Sequence, residues 1–433
     1  MSNGLDAGVV GKAATLAAQD GEFRLVAAGW TGALAVVTDG AAWRVPLVEG
    51  VARAAEPVAA ETLVPADDII VLTATAGSWR DFLAAVPKPP YSDLFGAQRG
   101  QVLTVAPLIV DAARHNAVRR FGWLLRDAAL GPQPPARPVR HGEHGEHDEA
   151  VGRYVHLDLD GVHHRLYYEQ AGSGIPLLCH HTAASDARQW RHLLEDHRVT
   201  DRFRVIAYDL PFHGKSLPVG DHWWAEEYVL TRDRAMAIAV SLADALDLDR
   251  PVFVGSSIGG MLALDLARYH PDQFRGVIAL QGGLRSSGGL DEEGMARMRR
   301  FRVAERLADP ALAAARMMGM MAPTAPEASR QETMLHYAQA APGVYAGDLF
   351  FHSIDHDLRG EAGAIDTGRC PVHLLTGEFD HTMVPITRRA ADEIAGASLT
   401  IMPGLGHFPM SEDHEQLIRY LLPVLDSFVP AGS

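Results

Sequence analysis

The residues best suited to chemistry begin where a short apolar run, Pro251-Val252-Phe253-Val254, enters Gly255-Ser256-Ser257-Ile258-Gly259-Gly260 and then helix-forming residues from Met261. This is the pattern G-x-S-x-G between a strand and a helix. A strand that turns sharply into a helix forces its central residue into strained backbone angles, and small residues two places before and after leave room for the turn. Spacing selects Ser257 over Ser256, because Val254 occupies the position where Ser256 would need a glycine. The bland alternative is an ordinary serine-glycine turn.

A serine hydroxyl is a weak nucleophile near neutral pH and needs a base, itself oriented by a third group. Downstream, the run His373-Leu374-Leu375-Thr376 leads into Gly377-Glu378-Phe379-Asp380-His381, and a further run leads into Gly404-Leu405-Gly406-His407-Phe408-Pro409. Among 21 histidines a single one means little, but His407 stands out by its glycine-flanked position after the last strand. His381 reads as a surface or pocket histidine. Asp380 and Glu378 share one turn, so residue spacing alone leaves the acid open between them. Asp209 and His213 are expected to hold a loop through side-chain to backbone hydrogen bonds.

The elements that must position these groups follow from hydrophobic patterning. Segments 176–179, 205–208, 252–254, 277–280, 373–376 and 399–402 are short, apolar and rich in β-branched residues, as buried parallel strands are. Helical patterns at 190–194, 232–246 and 261–268 alternate with them, which specifies a doubly wound, mostly parallel α/β sheet. Each chemical candidate then falls just past the C-terminal end of a strand, where open parallel sheets place their sites. The interval 286–368 lacks strand signals and reads as a helical cap over the sheet.

With these motifs in order, the region from about 151 to 430 resembles the α/β-hydrolase superfamily. By that resemblance Ser257 matches the nucleophile, Asp380 the acid and His407 the base, while Asp209-Leu210-Pro211-Phe212-His213-Gly214-Lys215-Ser216 is similar to a structural turn of the family. Some relatives take the acid from the end of the preceding strand, here Leu280-Gln281-Gly282, where no carboxylate stands. The resemblance implies an oxyanion hole made by the backbone N–H of Ile258 and, in the loop His180-His181-Thr182-Ala183, by that of Thr182. His181 stands where relatives usually carry glycine, and is a candidate substrate contact.

Upstream, residues 1–130 read as a separate small α+β domain, strands first and helices later. A hairpin spans 34–37 and 43–48 around Asp39-Gly40, a third strand 69–75 and a fourth 102–105. A helix opens at Ser78-Trp79-Arg80-Asp81 with the serine as N-cap, and a second helix covers 109–130. The phrase GEFRLVAAGWTGALAVV is similar to the opening of sterol carrier protein-like domains, which implies an accessory domain that binds lipid or forms a homodimer. Residues 131–150, with four prolines and alternating charge, form the linker. Its three histidines, His141, His144 and His147, read as solvated residues and not as metal ligands.

An apolar fraction of 47% and a charged fraction of 21% allow large cores. The formal charge of −15, from 54 acidic and 39 basic residues, disfavours nucleic acid and anionic membranes as partners. Two cysteines make no disulfide framework, no basic start precedes an apolar signal-like run, and no long apolar segment suits membrane insertion. A cytoplasmic, cofactor-independent and metal-free enzyme is expected. Substrate recognition is expected from the cap and from the loop 221–225, with Trp223, Trp224, Met317 and Phe351 as candidate contacts. The expected reaction is hydrolysis of a carboxylic ester of a small apolar or aromatic molecule through an acyl-enzyme. A lactone, a thioester or a carbon–carbon bond beside a ketone would suit the same three residues, and a non-catalytic ligand-binding protein on a hydrolase scaffold is the reading of another class.

Overall fold

A computed structural model describes residues 4–109, 111–131, 144–159, 161–220, 223–286, 310–341 and 343–430. Most of the expected linker, including His141, and much of the expected cap, 287–309, lie outside these residues. Two compact units are present: Met1–Arg137 together with Ala311–Thr324, and Pro138–Pro310 together with Ala325–Ser433. The expected cap is therefore divided, because 311–324 cluster with the first unit. Within that unit Ser92 Oγ donates to the Gly319 carbonyl at 2.8 Å.

The first unit opens with helices, contrary to the strands-first expectation. Helices α1 (Ala7–Gln19) and α2 (Gly21–Val26) start at Asp6 and Asp20, whose side chains accept the Val9 and Phe23 amides. The alanine-rich, aperiodic start of the chain gave little sign of them. Strands β1 (Gly32–Thr38) and β2 (Ala41–Val48) form the expected hairpin. They continue into β3 (Val51–Ala52), β4 (Glu56–Val58), β5 (Ile69–Thr73) and β6 (Thr104–Ala106), in a six-stranded sheet with path order β3-β2-β1-β5-β6. Helix α3 (Ala76–Phe82) is capped by Thr75 and not by Ser78, since Thr75 Oγ1 accepts the Ser78 amide. Helices α4 (Leu94–Arg99) and α5 (Ala112–Leu130) complete the unit. The core packs Phe23, Leu34, Val36, Trp79, Phe82 and Phe121 between helices and sheet.

The second unit carries an eight-stranded sheet of order β14-β13-β12-β11-β9-β10-β8-β7. Its parallel part comprises β9 (Ile175–His180), β10 (Phe203–Tyr208), β11 (Val252–Ser256), β12 (Gly276–Leu280), β13 (Val372–Gly377) and β14 (Ser398–Met402). All six were legible as apolar runs, because both faces of a parallel sheet are covered. An antiparallel hairpin, β7 (Val151–Leu159) and β8 (Val162–Ala171), extends the β10 edge and was not foreseen. Polar and exposed on one side, β7 lacks the continuous apolar signature. After β9 the chain moves to β10 on one side and then to β11 on the other. Such a reversal opens a crevice at the C-terminal strand ends.

Candidate active site

Ser257 stands between β11 and the helix Ile258–Tyr269 with φ 57° and ψ −110°. Its amide donates to the Leu280 carbonyl at 2.9 Å, which ties the strained turn to the neighbouring strand. A Cβ at Gly255 would stand 2.5 Å from the backbone of Gly259, so the close approach of strand and helix admits no side chain there. The strain is held by its surroundings, the usual condition for an outlier at a functional turn.

Past β13, Asp380 is 3% exposed and meets His407 from the loop after β14, with Oδ2 2.5 Å from Nδ1. An Nδ1–H donated to the carboxylate leaves the Nε2 lone pair available as a base. Thr382 Oγ1 donates to the other Asp380 oxygen at 3.2 Å. Glu378, the other acid of that turn, instead accepts the Gly404 amide at 3.2 Å.

The serine turn and the histidine loop are joined by groups that the sequence did not single out. Ser256 Oγ lies 3.4 Å from the His407 carbonyl and donates to Gln281 Oε1 at 3.1 Å, while Gln281 Nε2 donates to the Gly406 carbonyl at 3.0 Å. Gln281 is wholly buried, at the strand end where some relatives carry the acid. From the other side Glu412, also wholly buried, accepts the Gly406 amide and, at 3.4 Å, the Phe408 amide. His407 is thus held by both its flanking peptide groups.

The loop after β9 departs from expectation. His181 was a candidate substrate contact, but Nε2 accepts the Leu210 amide at 3.1 Å and Nδ1 lies 2.8 Å from the Thr182 carbonyl. Burial, followed by the charges of His213 and His180, pushes its pKa well below the usual value. With both nitrogens committed to backbone, it is a neutral brace between loops. The Thr182 amide donates to Gln189 Oε1 at 2.9 Å, and Thr182 Oγ1 also hydrogen-bonds the Tyr337 hydroxyl. Tyr337 in turn meets Phe408 edge-on, with ring centroids 5.5 Å apart. Ile258 begins its helix, where the first amides have no intrahelical acceptor.

A buried ion pair stands beside this loop. His213 Nε2 is 2.9 Å from Asp348 Oδ2, both side chains are inaccessible, and Nδ1 faces the Pro211 carbonyl at 2.8 Å. Burial alone would lower the His213 pKa, but the charge and hydrogen bond of Asp348 raise it on balance. Asp348 also accepts the Ala184 amide at 2.8 Å and the Tyr228 hydroxyl at 3.0 Å. The expectation for Asp209 matches its bonds: it accepts the Ala187 and Lys215 amides, and burial, followed by the charge of Asp186, pushes its pKa to about 7.

Of the remaining candidates, Phe351 and Met317 are buried and Trp223 is exposed. Phe351, 1% exposed, belongs to the hydrophobic core and packs edge-on against His356, because the cap helix turns this ring inward. Met317 is buried in the segment that clusters with the first unit. Trp223 is 43% exposed and meets Phe212 edge-on at 6.2 Å, and the side chain of Trp224 lies outside the described set. His352, next to Phe351, lies within a short π-helical turn at Phe351–Asp355. Burial, then the charge of His407, lowers its pKa to about 4. Among the described residues no group of three or more His, Cys, Asp or Glu could hold a metal ion. No described helix is long and apolar enough to cross a membrane.

Comparison with known proteins agrees with this geometry. The alpha/beta hydrolase family model matches residues 177–420. An uncharacterized protein of Mycobacterium tuberculosis is 27% identical over 290 residues, which is 62% of this chain and 80% of the relative. A 2-hydroxy-6-oxononadienedioate/2-hydroxy-6-oxononatrienedioate hydrolase of Burkholderia vietnamiensis is 30% identical over 145 residues, 31% of this chain and 46% of that protein. A thermophilic esterase of Thermogutta terrifontis superposes with a TM-score of 0.55 at 23% identity, over 64% of this chain and 99% of the esterase, and so shares the fold. The strained serine turn, the paired acid and histidine, and the match over more than half its length together mean that this chain belongs to the alpha/beta hydrolase family.

Proposed function

We propose that this hydrolase is a serine esterase in which Ser257 is the nucleophile, His407 the general base and Asp380 the group that orients the imidazole. The observation that carries this reading is the 2.5 Å contact between His407 Nδ1 and Asp380 Oδ2, on a loop braced against the residue preceding Ser257. Ser257 Oγ adds to an ester carbonyl as His407 Nε2 takes its proton. The tetrahedral intermediate expels the alcohol, which receives that proton. Water, deprotonated by the same imidazole, then attacks the acyl-enzyme and releases the acid. The Ile258 amide stabilises the oxyanion. Thr182 is the second donor, and its amide exchanges Gln189 Oε1 for the oxyanion as charge develops. Small apolar or aromatic esters are the substrate class, with Trp223 at the approach. The enzyme acts in the cytoplasm.

The test is labelling by a fluorophosphonate probe together with turnover of short p-nitrophenyl esters. Labelling of the wild type that is lost in Ser257→Ala, with turnover reduced about 10⁴-fold or more, is the expected result. An unlabelled wild type would leave the fold as a binding scaffold. A second reading, cleavage of a hydroxy-oxo dioate, is favoured by the similarity to the Burkholderia vietnamiensis hydrolase. A panel of esters, lactones, thioesters and diketones separates the two by relative kcat/KM.

A further inference from the structure

The helix Glu327–Ala338 turns one face toward the two loops that carry the proposed base and second oxyanion donor. Thr333 and Tyr337 lie one helical turn apart and so share that face, and both are buried. Thr333 Oγ1 and Ser411 Oγ are hydrogen-bonded at 2.8 Å, which fastens the helix to the short helix Pro409–Glu412 just after His407. One turn on, the Tyr337 ring meets Phe408 edge-on and its hydroxyl reaches Thr182 Oγ1 in the loop after β9. That loop runs beside the serine turn. His180 pairs with Gly255 across β9 and β11, so Thr182 and Ser257 each stand two residues beyond the paired positions. A Cβ at Gly259 would approach His180 to 3.0 Å.

The direction of each hydrogen bond follows from the groups involved. The Thr182 amide can only donate, so the Gln189 atom 2.9 Å from it is the carbonyl oxygen, Oε1. Thr182 Oγ1 stands 3.1 Å from that same oxygen, so the threonine proton points there as well. A hydroxyl has one proton and two lone pairs, which leaves Thr182 Oγ1 to accept from Tyr337. Burial pushes the Tyr337 pKa up, so the phenol keeps the proton it donates. Gln189 is wholly buried, and its Oε1 holds two donors of one residue, the amide and the hydroxyl of Thr182. When the amide turns to an oxyanion, the hydroxyl spares Oε1 from standing as a buried acceptor without a donor, which is a costly state.

We propose that Tyr337 is a positioning residue of the oxyanion hole: by donating to Thr182 Oγ1 it directs the threonine proton to Gln189, which releases the Thr182 amide to the oxyanion. This role rests on Ser257 as nucleophile and Thr182 as second oxyanion donor. Without the phenol the threonine hydroxyl is free to turn its proton elsewhere, and the amide is then held back as the donor of Gln189.

Tyr337→Phe in the full chain keeps the ring against Phe408 and removes only the hydroxyl. The expected result is a kcat for p-nitrophenyl acetate lower by about tenfold, with KM within about twofold and fluorophosphonate labelling slowed in parallel. A double-mutant cycle isolates the coupling. In Thr182→Val, which keeps the branched shape and loses the hydroxyl, Tyr337→Phe should change kcat by less than about twofold. In Thr182→Ser, which keeps a hydroxyl, the loss of about tenfold should return. The role is overturned if the loss persists in Thr182→Val, if only KM changes, or if Tyr337→Phe matches the wild type. Should circular dichroism show Tyr337→Phe to be unfolded, Thr182→Val must still turn over about tenfold or more slowly than Thr182→Ser, and equal rates overturn the role. Labelling of the wild type that Ser257→Ala abolishes keeps the two readings apart. A wild type that takes no label removes the serine reading and this role with it, whereas a labelled wild type equalled by Tyr337→Phe removes this role alone.

Discussion

Gln281 Nε2 donates to the Gly406 carbonyl at 3.0 Å, immediately before the histidine that faces Asp380. The same side chain receives Ser256 Oγ, so one amide spans the serine turn and the histidine loop. Gln281→Leu leaves the Gly406 carbonyl without its donor in a buried place and Ser256 Oγ with only the His407 carbonyl, at about 1–3 kcal/mol. Its expected effect on ester turnover is a fall in kcat of about 10- to 100-fold with KM little changed, because imidazole placement is disturbed and not substrate uptake. Steady-state kinetics with circular dichroism check this. A KM effect alone would argue against a positioning role.

Asp380 and Glu378 can be separated by isosteric amides. Asp380→Asn should lower kcat by about 10³- to 10⁴-fold, since the asparagine NH2 can donate to Nδ1, which favours the tautomer protonated at Nε2, and no negative charge remains to stabilise the imidazolium. Glu378→Gln, on the Gly404 amide, should stay within about threefold of wild type. Equal losses in the two variants would show that the acid has been misassigned.

Gln189 accepts the amide of Thr182, the proposed second oxyanion donor. In Gln189→Glu a carboxylate replaces the amide at nearly the same shape, and its negative charge opposes the oxyanion. A kcat loss of about 10²-fold or more is expected, with fluorophosphonate labelling slowed in parallel. Unaltered turnover would remove Thr182 from the oxyanion hole.

The buried pair of His213 and Asp348 should be visible in stability. Asp348→Asn removes one partner of a fully buried pair, with an expected cost of about 3–5 kcal/mol. The His213 pKa is raised in the folded state. The folded protein therefore holds that proton more tightly than the unfolded chain. This stabilisation is complete below the unfolded value near 6.5 and is lost as pH rises through the higher folded value. Urea melts of wild type and His213→Gln should differ most below pH 6.5 and converge above it. A gap that widens with rising pH would refute the ion pair.

Much of the second unit could be read from its residues because its determinants are local. A parallel strand buried on both faces must be continuously apolar, and so sharp a strand-to-helix turn must be small two places before and after its serine, so β9 to β14 and the turn at Ser257 carried their own signatures. The turns bearing Asp380 and His407 were recognisable for the same reason, as polar residues among glycines directly after such strands.

What only the tertiary structure decided were the partnerships between residues distant in the chain. The choice of Asp380 over Glu378 as neighbour of His407, the inward turn of Phe351, and the burial of both His181 nitrogens depend on which backbone groups arrive opposite each side chain. Gln281, Glu412 and Asp348 stand in no motif of their own. Their positions matter because packing brings otherwise unsatisfied amides, carbonyls and an imidazole within hydrogen-bond reach, and that is a property of the folded interior, not of local spacing.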